Sequence, residues 1–345
     1  APDTITYLSR SDWAGTWSEA YSSLEATADM LPWLKAEQYE AGDSDTSSIA
    51  TGSTETQYSL IQLRGADYDD QLWDDLLNQI TLDEMASLLT DACEHTNPVL
   101  SVSYQGSLDK DGPIGYDATF NTDTSKPYYI VASASDEVKN YNFASLSTEP
   151  TLAASFNLEL ANERGNVNGE DSLWSGYTEN WAPGANLHRT PYSGRNYEYY
   201  CEDPIISGKT AAAVISGAGD KGTYCTLKHF AMVDQEADRW WIPAVWATEQ
   251  TIREIYLKPF EIAVKEATKT IKYTADGNGT VATKTMRACD AMMTSGWSGI
   301  AGLYTAYDYN LLTNVLRNEW GFQGYVVTDY DQGNCANDDV AVNRM

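Results

Sequence analysis

The chain has 345 residues, 42% of them hydrophobic, and carries 50 acidic against 22 basic side chains for a net charge of −28. That length suits one large α/β barrel or two ordinary domains, and the apolar content can fill a sizeable core. So acidic a surface repels phosphate backbones, which excludes nucleic acid as an expected partner, and no run of about 18 apolar residues offers a membrane span.

In chain order, residues 1–65 differ from the rest and read as an N-terminal extension and linker. WSEAYSSLEATADMLPWL fits a short amphipathic helix ended by Pro32, and the Ser/Thr/Gly-rich stretch 41–57 has little to bury. The opening APDTITYLSR has no basic segment followed by an apolar one, so it does not read as a targeting signal. Residues 66–345 form the expected main domain. WDDLLNQITLDEMASLLTDA predicts two helices, the second opened by a capping box of Thr81 and Glu84. Strand-like runs follow at 178–187, 222–230, 288–297 and 324–330, with helices expected around 207–222, 248–267 and 310–322. Strand, helix, strand at this spacing means parallel βα units, and their repetition favours a TIM-like (β/α)8 barrel within the α/β class. An open doubly wound sheet is the competitor, but no G-x-G-x-x-G opens a helix. At 268–287, two Thr-rich runs flank Asp276-Gly277-Asn278-Gly279, which predicts a β-hairpin insertion. Asn278-Gly279-Thr280 is also a glycosylation triplet, common by chance.

A barrel carries its chemistry at the C-terminal ends of its strands. Lys228 and His229 end one apolar run and Asp329 ends another. Asp111 opens DGPIG, a turn-like segment read as preceding the barrel, and Arg195 lies in a polar, aromatic loop. A strand-end carboxylate beside cations suits attack on an anomeric carbon. Taken singly, each of these residues is better explained by a cap, a salt bridge or a structural contact. Eleven Trp and 23 Tyr against 6 Phe favour sugar faces, although Tyr-rich surfaces are common. The five cysteines, at 93, 201, 225, 289 and 335, form no CxxC pair and no metal spacing.

WAPGANLHRTPYSGRNYEYYCEDPIISGKTAAAVISG, KGTYCTLKHFAMVDQEADR, TEQTIREIYLKPFEIAVKEA and LLTNVLRNEWGFQGYVVTDY resemble, in order and spacing, the signatures of glycoside hydrolase family 3. The resemblance implies Asp329 as the catalytic nucleophile of a retaining β-glycosidase. It implies Asp111, Arg195, Lys228 and His229 as sugar-binding residues, with Tyr330, Trp297, Trp240 and Trp241 as candidates at the mouth. The implied substrate is a β-linked glucoside or short β-glucan, with a β-xyloside next, and no cofactor. The family's N-acetylglucosaminidases carry a His-bearing loop after KHF; AMVDQEADRWW has none, so that branch is disfavoured. Three departures accompany the match. The acid/base Glu is expected on a second domain or chain. The last βα unit is expected to run past Met345, leaving the barrel incomplete. Gly296 and Trp297 stand where the family commonly has Tyr or Phe and then Asn. YLSRSDWAGTW resembles the branch in which the second domain comes first. The alternatives are a carbohydrate-binding or inactive barrel, and a phosphorylase-like or transglycosylating enzyme in which another group assists the leaving group; His188 and Glu202 lie in the Arg195 loop, but a structural role explains both better. The hydrolase class and the acidity together suggest an extracellular or cell-surface location.

Overall fold

The computed structural model describes residue 28 and residues 51–329, apart from 56, 91–94, 117–142, 234, 238, 240–243, 277, 297 and 301–302. The helix expected before Pro32 lies outside the described residues, as do Trp240, Trp241, Trp297 and Tyr330.

Two short helices open the described structure, α1 (Leu72–Leu77) and α2 (Leu82–Thr90). The capping box forms: the Thr81 amide donates to the Glu84 carboxylate at 3.0 Å, and the Glu84 amide to the Thr81 hydroxyl at 3.2 Å. A satellite core of Leu63, Leu76, Ile80, Val99 and Val102 sits under these helices. Tyr58 and Leu60 pack on it, so close packing begins before the expected boundary at residue 66.

The central sheet comprises β1 (His95–Thr96), β2 (Ser107–Asp111), β3 (Glu179–Trp181), β4 (Tyr224–Phe230), β8 (Ala291–Thr294) and β11 (Tyr325–Val327), in that spatial order. Only β1 is antiparallel; β2 to β11 run parallel. Asp111 ends β2, where it pairs with Trp181, so DGPIG follows a barrel strand and does not precede the barrel. The correction has a simple cause: SLDKD has too few apolar residues to read as a strand, and its pairing with β3 is non-local. The 178–187 run is strand only at Glu179–Trp181, because Pro183 has no N–H to give a ladder.

The sheet curls. Both Thr226 on β4 and Tyr325 on β11 donate to Glu179 on β3. Flat, β3 and β11 would stand three strand spacings apart, roughly 14 Å. Their contact is that of an incomplete barrel, and burial pushes the Glu179 carboxyl up from its usual range.

Helices cover the outer face. α3 (Glu149–Ala153) and α4 (Leu158–Ser175) lie between β2 and β3, α5 (Pro204–Asp220) between β3 and β4, and α6 (Lys258–Glu266) before β8. Asp203 caps α5 by accepting from the amides of Ile205 and Ile206, ahead of Pro204 at its first turn. The apolar run in α5 is buried because the helix is sandwiched between the sheet and α4. A π-wound helix, Asn310–Glu319, leads into β11 and buries Leu311, Val315 and Leu316. The main core joins α5, α6, β4 and β8 with Trp320 and Phe322.

The remaining strands lie off this sheet: β5 (Ala244–Val245), β9 (Gly299–Ile300) and β10 (Leu303–Tyr304) form a small one, and β6 (Thr268–Thr274) and β7 (Val281–Arg287) form the expected hairpin. Among the described residues no helix is long and apolar enough to cross a membrane.

Candidate active site

The C-terminal ends of β2, β4 and β11 bring the chemistry-bearing side chains together. Asp111 ends β2, Lys228 and His229 lie near the end of β4, and Asp329 follows β11 by two residues. Arg195 leads into the 3-10 turn Asn196–Glu198.

These groups form one chain of alternating charge. Lys228 Nζ lies 2.7 Å from Asp111 Oδ1 and 3.4 Å from Glu198 Oε2. Glu198 pairs with Arg195, whose Nη1 lies 3.7 Å from Glu236 Oε1. Glu236 Oε2 lies 3.3 Å from Arg239 Nη1, and Arg239 Nη2 pairs with Asp329. Lys228, Glu198 and Arg239 are buried, and charges out of water persist only when paired. The ends of the chain are carboxylates that reach solvent: the Asp111 side chain is 49% exposed and that of Asp329 is 17% exposed.

His229 is held on both sides of its backbone by one side chain. Its amide donates to Asn186 Oδ1 at 2.7 Å, and Asn186 Nδ2 donates to its carbonyl at 2.9 Å. Its Nδ1 lies 3.0 Å from the Tyr199 hydroxyl, and Nε2 lies 3.6 Å from Asp329 Oδ2, beyond hydrogen-bond range. Burial pushes the imidazole pKa well below its usual value, and Arg195, Arg239 and Lys228 push it the same way, so the ring is neutral. Burial also keeps Tyr199 a phenol.

Arg239 is anchored from behind: its Nε and Nη2 donate to the Ser295 carbonyl at 3.3 and 3.0 Å. Gly296 follows with a left-handed φ of +67° and lies against both Arg239 and Asp329. Among the described residues, no group of His, Cys, Asp and Glu gathers to hold a metal ion.

The sequence matches known proteins over most of this region. The family model described as the glycosyl hydrolase family 3 N terminal domain matches residues 142–338, more than half of the chain. The chain belongs to glycoside hydrolase family 3. A beta-glucosidase from Ruminococcus albus is 37% identical over 186 residues, covering 54% of this chain and 17% of its own length. The thermostable beta-glucosidase B of Acetivibrio thermocellus is 32% identical over 256 residues, covering 74% and 30%. Among solved structures, beta-glucosidase 3B from Thermotoga neapolitana in complex with alpha-D-glucose superposes with a TM-score of 0.60 at 29% identity, over 74% of this chain and 33% of that one. The chain thus spans about a sixth to a third of the length of these family members.

Of the residues singled out from the family motifs, Asp111, Arg195, Lys228, His229 and Asp329 converge, while Tyr330 and Trp297 lie outside the described residues. His188 does not face this group; its Nε2 lies 2.9 and 2.7 Å from the carbonyls of Asn196 and Tyr199. Glu202 is exposed in the same loop. Sequence reasoning passed over Glu198, Glu236, Arg239, Asn186 and Tyr199. One signal was available: Arg195–Glu198 and Glu236–Arg239 are both opposite charges three residues apart.

Proposed function

We propose that this chain carries the nucleophile and sugar-binding half of a retaining β-glycosidase that removes terminal β-linked glucose from β-glucosides or short β-glucans. The observation that carries the reading is the charge chain ending on Asp329, at the mouth of a barrel strand and beside a neutral His229. In this mechanism the Asp329 carboxylate attacks the anomeric carbon while the aglycone oxygen leaves. Water then opens the glycosyl ester and releases the sugar with its configuration retained. Arg239 fixes the carboxylate's orientation through its bond from Nη2. A neutral His229 donates a hydrogen bond to a sugar hydroxyl without setting a further cation beside an oxocarbenium-like transition state. Asp111, which reaches solvent, and the buried Lys228 paired with it bind the hydroxyls on the far side of the ring. The glucosidase names of the relatives support glucose as the sugar. The acid/base is assigned to a Glu on a second domain or chain, and the extracellular or cell-surface location belongs to the same proposal.

The test uses dinitrophenyl β-D-glucoside, whose leaving group needs no proton. The wild-type chain releases dinitrophenolate, Asp329→Gly does not, and azide restores release from the variant as the α-glucosyl azide. Equal release by both proteins without azide contradicts the assignment.

A further inference from the structure

We propose that Tyr199 is a positioning residue for His229: its phenol donates to Nδ1 and so keeps the ring hydrogen on Nε2, the nitrogen on the Asp329 side. The two rings meet edge-on, at 89°, with the hydroxyl 3.0 Å from Nδ1. Both side chains are buried, so bulk water does not compete for the bond.

The direction of the bond follows from counting hydrogens. A neutral imidazole has one N–H, on either nitrogen, and a phenol has one O–H. Burial and the nearby cations keep the ring neutral, and burial keeps Tyr199 a phenol. Among the described residues, His229 Nδ1 is the only hydrogen-bond partner of the Tyr199 hydroxyl. Were Nδ1 to carry the hydrogen and donate it, the phenol hydrogen would be buried without an acceptor, which is the costly arrangement. Asp329 Oδ2, at 3.6 Å from Nε2, is beyond hydrogen-bond range and does not fix the ring by itself. With Nδ1 bare toward Tyr199, the Nε2 hydrogen is left for a sugar hydroxyl.

One stretch of backbone mounts both partners. The Lys228 amide donates to the Pro183 carbonyl at 3.0 Å and the Ala185 amide to the Lys228 carbonyl at 2.7 Å, while Asn186 clamps His229. Gly184 bridges to Lys228 and to Tyr199, and a Cβ there would lie 2.7 Å from Tyr199 Cδ1. The Tyr199 ring therefore lies against Gly184. Farther along the same stretch, His188 Nε2 lies 2.7 Å from the Tyr199 carbonyl. Tyr199→Phe keeps this packing and removes the hydroxyl alone.

The chain has three histidines, few enough to assign in long-range proton–nitrogen spectra by substituting His95 and His188 in turn. His188, whose Nε2 faces two carbonyls, supplies the reference pattern of a ring with its hydrogen on Nε2. Wild-type His229 is expected to show that same pattern at neutral pH. In Tyr199→Phe the ratio of the Nε2–H to the Nδ1–H form falls about fivefold or more, which is what one net hydrogen bond is worth. Asp329→Asn keeps the wild-type ratio. A wild-type hydrogen on Nδ1 overturns the proposal whether or not the variants fold, and so does a ratio that holds in Tyr199→Phe. Collapse of the ratio in Asp329→Asn also overturns it, because the carboxylate would then set the ring. The destination of the Nε2 hydrogen rests on the function proposed above and is read separately. Adding glucose to Tyr199→Phe should draw the ring back to the Nε2–H form, since the sugar favours the form that donates to it. Spectra that glucose leaves unchanged sink the sugar-binding role of His229, while the ratio without glucose still decides what Tyr199 does.

Discussion

At Lys228 and Glu198, burial and charge meet with little slack. Both are buried, and Glu198 is the link between Lys228 and Arg195. Removing one member of a buried pair strands the other, at a cost of about 3–5 kcal/mol. Glu198→Gln is therefore expected to destabilise the chain by about that amount, read from the urea midpoint at unchanged slope. A loss under about 1 kcal/mol would mean that the pair behaves as a surface salt bridge. The residues at strand ends were legible because Lys228-His229 and Asp329 close apolar runs. Which groups they pair with was not. Arg239 meets Asp329 across 90 positions and Lys228 meets Asp111 across 117, distances over which nothing in a single sequence constrains pairing.

Among the elements, local signals did best. The hairpin follows from one turn, in which Asp276 Oδ1 accepts from the amides of Asn278 and Thr280 at 2.9 and 3.0 Å. The cap of α2 also forms as its sequence suggests. β2 escaped notice because SLDKD alternates poorly and is made a strand by its parallel neighbour. The α4–α5 contact is equally non-local: a Cβ at Gly165 would strike the Val214 carbonyl, and one at Gly217 the Asn162 carbonyl. Backbone thus meets backbone at both positions. Gly217→Ala is expected to cost about 1–3 kcal/mol, against the small gain that alanine gives in an unconstrained helix. Thermal unfolding measures it; a stabilised variant would show that the helices part freely.

For the molecule as a whole, two buried groups near the site set opposing pH dependences. Burial, opposed by Arg164, raises the Glu149 carboxyl from 4.5 to about 8, with Glu198 adding to the rise and Lys228 opposing it. Unfolding then releases a proton anywhere between these values, so stability falls as pH rises through that window. His229 stays neutral when folded and takes up a proton on unfolding below pH 6.5, so its contribution falls as pH drops. The two trends cancel between pH 4.5 and 6.5, and Glu149 acts without this opposition from 6.5 to 8. There the slope attributable to Glu149 is about 1.4 kcal/mol per pH unit. Urea unfolding across pH 6.5–8 should show wild type losing stability and Glu149→Gln losing less. Parallel curves would place the titration elsewhere.

The central claim, that Asp329 forms the glycosyl bond, is most directly tested by trapping. The chain is incubated with 2-deoxy-2-fluoro-β-D-glucosyl dinitrophenolate, digested, and mapped by peptide mass spectrometry. The account predicts one fluoroglucosyl group on the peptide bearing Asp329, and none on Asp329→Asn. A label on another carboxylate of the site, such as Glu236 or Asp111, would contradict it.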